Sequence, residues 1–266
     1  MTALEFLDSH SHLDSSEFDG DREMVIERAR AAGVKRLIVV GADSGFESAR
    51  RAVALAVRYP GIFASVGLHP NDAKLPVDTS PLRDLASNAK VVAIGETGLD
   101  FYRDWAPPAL QESWFRAQIE LARAVKKPLI IHSRQAGNRA LQILIENGAA
   151  EVGGVFHCFS ESAEFAAELR AIGFMVSFPG SLTFKNAQTA RDAARLIPLE
   201  QILIETDAPF LAPAPWRGRR CESAYVVETA KALAEVKSCP LERIAKETTD
   251  NAARLFKLPA ATKEVQ

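Results

Sequence analysis

Leu4-Glu5-Phe6-Leu7-Asp8-Ser9-His10-Ser11-His12 is a short apolar run that ends in two histidines. The layout recurs along the chain. Ile62-Phe63-Ala64-Ser65-Val66 precedes His69, Pro128-Leu129-Ile130-Ile131 precedes His132, and Gly153-Gly154-Val155-Phe156 precedes His157. These places hold all five histidines of the protein. Two acids share them, Glu96 after Val91-Val92-Ala93-Ile94-Gly95 and Asp207 after Ile202-Leu203-Ile204-Glu205-Thr206. Apolar runs of this length, bounded by turn residues, read as β-strands. If the strands are parallel, their C-terminal ends meet at one rim. That rim then gathers imidazoles and carboxylates, and a metal site is the expected reason.

Working outward, strands are expected at Phe6 to Ser9, Leu37 to Val40, Phe63 to Gly67, Val91 to Gly95, Leu129 to His132, Val155 to Cys158, Phe174 to Phe178 and Ile202 to Glu205. Between them lie segments with apolar residues at helical spacing, such as Phe46 to Tyr59, Leu110 to Val125 and Phe165-Leu169-Ile172. Several strands are continuously apolar, as in a parallel sheet covered by helices on both faces. About eight such β-α units predict an α/β fold, a (β/α)8 TIM barrel, with a doubly wound open sheet as the alternative. The barrel accounts better for the histidines, because its active sites lie at the C-terminal rim of the strands. No linker, low-complexity tract or tandem repeat stands out, so residues 1–266 are expected to form one barrel domain.

The formal net charge is −2, which lacks the global positive footprint of a tight duplex-DNA clamp. Phosphate binding would have to be local. The candidates are Arg134 beside His132, Lys185, and Arg217-Gly218-Arg219-Arg220, each of which reads equally as solvated surface. Three cysteines without CxxC spacing argue against a disulfide framework and for a reducing compartment. Cys158 directly follows His157, so on a strand it would point to the opposite face as a small apolar residue. Met1-Thr2-Ala3-Leu4-Glu5 carries no leader pattern, and no apolar run approaches the ~18 residues of a membrane span. A cytoplasmic protein, without membrane partners and monomeric, is expected.

His10 and His12 are two apart, so on a strand both side chains share a face and can chelate one ion. By itself this pair reads equally as two strand-end imidazoles. Glu96, His132, His157 and Asp207 add nitrogen and oxygen donors at further strand ends. Such a set suits magnesium, manganese or zinc and does not suit an iron–sulfur cluster. Six candidates exceed what one catalytic ion needs, so two divalent ions bridged by a carboxylate are expected, ~3.5–4 Å apart. His69 is expected to contact substrate phosphate or position water without a metal bond. Glu205 reads as a supporting acid, and Asp8 and Asp14 either orient the histidines or cap a turn. Phe101-Tyr102-Arg103-Asp104-Trp105 either stacks on bases or packs as a loop.

Asp8-Ser9-His10-Ser11-His12-Leu13-Asp14 resembles the opening motif of the TatD family of metal-dependent deoxyribonucleases. Val66-Gly67-Leu68-His69-Pro70, Ala93-Ile94-Gly95-Glu96-Thr97-Gly98-Leu99-Asp100 and Ile130-Ile131-His132-Ser133-Arg134 resemble its next three. Phe156-His157-Cys158-Phe159-Ser160, Leu182 to Ala187, Glu205 to Pro213 and Arg217-Gly218-Arg219-Arg220 continue the order, so the resemblance runs from about Asp8 to Phe256. It implies an amidohydrolase-like barrel that hydrolyses DNA phosphodiesters with bound divalent metals. It further implies that His10, His12 and Asp207 hold one ion, His132 and His157 the other, and that Glu96 bridges them. Cys221 and Ser223 depart from the family's pattern in a loop expected to touch substrate, which bears on specificity.

Catalytic roles are thus expected for Asp207, which would orient or deprotonate water, and for Glu96; substrate contacts are expected from His69, Arg134 and Lys185. The mild charge favours single strands or ends, cut as an exonuclease. The alternative is a metal-dependent hydrolase of an ester, lactone or amide on the same scaffold, since one fold hosts many reactions. Barrels that bridge their ions with a carboxylated lysine need a lysine at the end of the fourth strand, where this chain has Glu96. A non-catalytic binding protein would be expected to have lost one or more of these donors.

Overall fold

The computed structural model describes residues 4–42, 45–74 and 76–259. The N-terminal reading at Met1 to Ala3 lies outside them. Eight strands follow one another: β1 Phe6–Ser11, β2 Val34–Gly41, β3 Ile62–Val66, β4 Val91–Asp100, β5 Leu129–Arg134, β6 Gly154–Phe156, β7 Phe174–Phe178 and β8 Ile202–Ile204. Each pairs in parallel with the next, in sequence order. The ring closes just beyond β8. Asp207 N donates to His10 O at 2.9 Å, His12 N donates to Ala208 O at 2.7 Å, and Ser11 bridges Ala208. An open doubly wound sheet would leave its first and last strands unpaired, so the fold is the (β/α)8 barrel.

The helices are α1 Arg22–Ala31, α2 Phe46–Arg58, α3 Ser80–Ala86, α4 Pro108–Val125, α5 Gly137–Glu146, α6 Ala163–Ala171, α7 Gln188–Leu196, α8 Val226–Lys237 and α9 Leu241–Leu255. Local chemistry sets their ends. Pro108 pre-orders the first turn of α4, and Lys126, left-handed at φ 55°, stops it. Ser162 caps α6 by accepting from Phe165 N. Alternate strand residues point inward, where Leu7, Ile38, Val40, Phe63, Ala93, Ile130, Val155 and Leu203 fill the barrel. Ala252 and Phe256 join that cluster, and Asn251 donates to the carbonyls of Leu199 and Ile202 at the start of β8. α9 therefore seals the N-terminal end of the interior. The opposite rim is left for function.

The strand ends differ from the sequence expectation where the site lies. β4 continues five residues past Gly95, to Asp100, and β5 runs to Arg134. Gly98 permits this: its φ is +136°, and a Cβ there would stand 2.1 Å from His132 O. Without a side chain at Gly98, β4 can lie against β5. β6 and β8 stop earlier than expected, because the chain turns at Cys158 (φ 47°) and Asp207 (φ 55°). Among the described residues no helix is long and apolar enough to cross a membrane.

Candidate metal centre

His10 lies in β1 and His12 just past it, Glu96 in β4, His132 in β5, His157 one residue past β6, and Asp207 three past β8. The barrel brings all six together. Glu96 stands in the middle, 2% exposed, and its two oxygens face different partners. Oε2 is 3.3 Å from His10 Nε2 and 3.7 Å from His12 Nε2. Oε1 is 2.7 Å from both His132 Nδ1 and His157 Nε2. Asp207 Oδ1 completes the first group, 3.7 Å from His10 Nε2 and 3.4 Å from His12 Nε2.

The residues fit divalent ions. Within the first group the two ring nitrogens approach to 3.2 Å, and within the second to 3.3 Å. Donors ~2.0–2.1 Å from a shared tetrahedral ion stand roughly 3.4 Å apart, so the nitrogens of each group are close enough to hold one ion between them. The buried His10 Nδ1, His157 Nδ1 and Glu205 Oε2 find no hydrogen-bond partner, although His157 Nδ1 lies only 3.5 Å from Glu205 Oε1. Tautomers agree as well. The Val40 carbonyl accepts from His12 Nδ1 at 3.0 Å, which leaves a lone pair on the Nε2 aimed at the cluster.

Charge in the cluster is coupled. Burial alone would raise the Glu96 carboxyl, but the imidazoles of His157, His69 and His10 outweigh it and hold it well below the usual carboxylate range. Burial opposes charging His157, yet Glu96 pulls it well above an ordinary histidine. His10 goes the other way, pushed down by burial and by His157. Asp207 is held low against burial by His12 and His10. The site is thus an anionic hub ringed by nitrogens, which suits cations.

Surrounding groups set the orientations. His69 Nδ1 accepts from Asn71 N at 3.1 Å, so its proton sits on Nε2, 3.5 Å from Glu96 Oε1. It is arranged as a donor rather than a ligand. Glu205, fully buried, accepts from Cys158 N at 2.7 Å and lies 3.5 Å from His157 Nδ1. Asp8 accepts from Thr206 N at 2.9 Å, from Thr206 Oγ1 at 2.6 Å and from His10 N at 3.3 Å. It ties β1 to the segment bearing Asp207, and burial lifts its carboxyl to about 7. Asp14 instead accepts from Ser48 Oγ at 2.7 Å, fixing α2.

The structure adds to or departs from the sequence expectation at several residues. Cys158 does not point to the opposite face of a strand, because β6 has already ended; its thiol turns to Asp207 Oδ2 at 3.7 Å. Cys221 and Ser223 are buried, with Ser223 Oγ 3.3 Å from Ser11 Oγ, so their side chains pack beneath the loop rather than line its surface. Arg220 is already engaged by the protein: it donates to Glu17 O at 2.6 Å and pairs with Asp21 at 2.7 Å. Asp100, for which the sequence suggests no role, turns its Oδ2 to His132 Nε2 at 3.3 Å. Glu96, Gly98 and Asp100 alternate on one face of β4, a period that reveals Asp100 once the strand is allowed to run through Gly98.

Of the expected substrate contacts, His69 is in the cluster. Arg134 is exposed at its edge, its guanidinium 3.8 Å over the ring of Tyr102. Lys185 is exposed in the loop after β7, and its carbonyl accepts from Arg191. Phe101, Tyr102 and Trp105 are exposed rather than packed, as is Phe210, which stands edge-on to His12 at 6.2 Å.

A parallel barrel with imidazoles and carboxylates converging at its C-terminal rim defines the class: a metal-dependent hydrolase built on a (β/α)8 barrel. The model of the family described as TatD related DNase matches residues 7–257, and the chain belongs to that family. A Bacillus subtilis protein called uncharacterized metal-dependent hydrolase YabD is 45% identical over 94% of this chain and 98% of its own length. A Cronobacter sakazakii relative, 38% identical over 92% of this chain and 95% of its own, is named 3'-5' ssDNA/RNA exonuclease TatD. Among solved structures, the Escherichia coli TatD homolog YJJV superposes with a TM-score of 0.89 at 31% identity, covering 96% of this chain and 98% of that one.

Proposed function

We propose that this metal-dependent hydrolase is a deoxyribonuclease that cuts DNA phosphodiester bonds from single strands or ends, as an exonuclease, using two divalent ions. The observation that carries the two-ion reading is the division of Glu96, with Oε2 toward His10 and His12 and Oε1 toward His132 and His157. His10, His12 and Asp207 would hold one ion, His132 and His157 the other, and Glu96 would bridge. Magnesium, manganese and zinc all suit these donors. When bound, the ions supply Lewis acidity and charge that activate water and neutralise phosphate oxygens.

The chain's own groups do the rest. Asp207, its Oδ1 3.4 Å from His12 Nε2, orients the attacking water and accepts its proton. His69 donates from Nε2 toward a phosphate oxygen. Arg134, and Lys185 from the β7 side, draw the flanking phosphates in; a guanidinium binds phosphate but not cations, so Arg134→Ala should weaken substrate binding and leave metal content unchanged. The name of the Cronobacter sakazakii relative supports nucleic acid as the substrate class. We further propose that residues 1–266 act as one domain, monomeric, in the cytoplasm.

The deciding experiment incubates pure protein with end-labelled single- and double-stranded DNA, with and without magnesium, manganese or zinc, beside ester, lactone and amide substrates. Cleavage of DNA under a divalent ion, faster on single strands, is the expected result. Turnover of only the carbonyl substrates would transfer the function to the alternative hydrolase.

A further inference from the structure

Four side chains at the rim form an alternating ladder of guanidinium and ring. Arg134 lies 3.8 Å over Tyr102, Arg103 lies 5.8 Å from the same ring, and Arg103 lies 4.6 Å over Trp105. Tyr102 is 55% and Trp105 56% exposed, which is unusual for rings with so much apolar area to hide. The ladder is not a loose loop. Asp100 Oδ1 accepts from Tyr102 N at 3.0 Å and from Arg103 N at 2.9 Å, while its Oδ2 faces His132. Arg134 sits directly opposite Asp100 in the β4–β5 register, two residues after His132. One carboxylate thus anchors the rings beside the centre where the reaction takes place.

Exposed rings interleaved with guanidinium groups match the chemistry of an unpaired nucleic acid, whose bases offer π-faces and whose backbone offers anions. In a duplex those faces are stacked and hidden. We propose that Tyr102 and Trp105, with Arg103 and Arg134, form a stacking subsite for the unpaired bases that flank the cleaved bond, and so confer the single-strand preference. The inference rests on the nuclease reading above. Stacking is indifferent to base identity, so the subsite selects strandedness and not sequence. It also needs bases: a chain of phosphates alone would not hold it.

The test compares wild-type protein with Trp105→Ala, Tyr102→Ala and the conservative Trp105→Phe. The substrates are a fluorescein-labelled single-stranded oligonucleotide and one of equal length whose flanking positions are abasic. Each alanine variant should raise KM for the intact strand by about tenfold, with kcat within about twofold, since a ring in such a platform contributes roughly that factor per base. Trp105→Phe should recover most of the loss, and the abasic strand should be poor for wild type and indifferent to the substitutions. Equal KM on both strands, or a fall in kcat alone, would overturn the subsite while leaving the nuclease reading standing. If neither strand is cut under any metal, the nuclease reading fails, and binding decides the ladder separately. Quenching of the Trp105 component, the fluorescence present in wild type and missing from Trp105→Phe, by the intact but not the abasic strand would uphold it. No quenching would remove it.

Discussion

Glu96 is the residue on which the centre turns, because each of its oxygens belongs to a different group of nitrogens. Glu96→Ala should therefore lower metal occupancy at both positions, whereas His132→Ala should empty chiefly one, as read by metal analysis of purified protein. Both variants should keep the parent's circular dichroism, since a rim residue serves function more than the core. Full metal content in Glu96→Ala would leave the histidines as a single-ion or substrate-binding cluster. Asp100 acts one step further out. A carboxylate on the far nitrogen of a ligating imidazole fixes its tautomer and direction, and its loss commonly weakens metal binding 10–100-fold. Asp100→Ala should show that loss by metal titration, and should also loosen the loop that follows. Asp100→Asn keeps an acceptor for the Tyr102 and Arg103 amides, so it should separate the two effects: metal affinity lower, the loop intact to proteolysis.

Among the elements, β4 contributes most to the site because it is long, close to β5 and broken by glycines where other strands carry side chains. Gly98→Ala would place a methyl against the His132 carbonyl in a backbone conformation that alanine rarely adopts. We expect destabilisation of about 1–3 kcal/mol in denaturant unfolding, with reduced metal content from the displaced His132. The loop after β8 is held differently. Arg28 binds Glu222 through two nitrogens at 2.7 and 3.0 Å, and Arg220 pairs with Asp21, so α1 is clamped to the segment that follows the metal-site residues. Arg220→Ala should then cost about 1 kcal/mol of stability and leave the KM for oligonucleotides unchanged. A raised KM with unaltered stability would return Arg220 to the list of phosphate-binding groups.

For the molecule as a whole, the barrel concentrates mutually repelling donors at one end and an apolar interior sealed by α9 at the other. A ligand that binds only the native state stabilises it by mass action, about 2.7 kcal/mol at a hundredfold excess over its Kd. Removing metal with a chelator should therefore lower the melting temperature by several degrees, and magnesium, manganese or zinc should restore it. The net charge of −2 sets the other global expectation. With basic residues balanced by acids over the chain, and only Arg134, Arg103 and Lys185 expected to meet phosphate, oligonucleotide binding should fall only gently with salt, with a slope of roughly −0.7 per contacted phosphate. A steep slope would indicate a binding face beyond the rim.

The placement of His10, His12, His69, Glu96, His132, His157 and Asp207 after apolar runs was legible in one dimension, because strand periodicity and strand direction are local properties and a parallel barrel converts chain order into a ring. Fold class and the candidate donors follow from that alone. What tertiary structure decided is how atoms share space: which oxygen of Glu96 meets which imidazole, that His69 donates while His12 offers a lone pair, and that Asp100 reaches both His132 and the ring-bearing loop. It also decided where side chains are absent from the surface. Cys221, Ser223 and Arg220 look available in sequence, yet closure of the barrel buries the first two and pairs the third. Cys158 was misdirected for a related reason: a rule of alternation holds only while a strand lasts, and hydrogen bonds from neighbouring strands, not the residues themselves, determine where it ends.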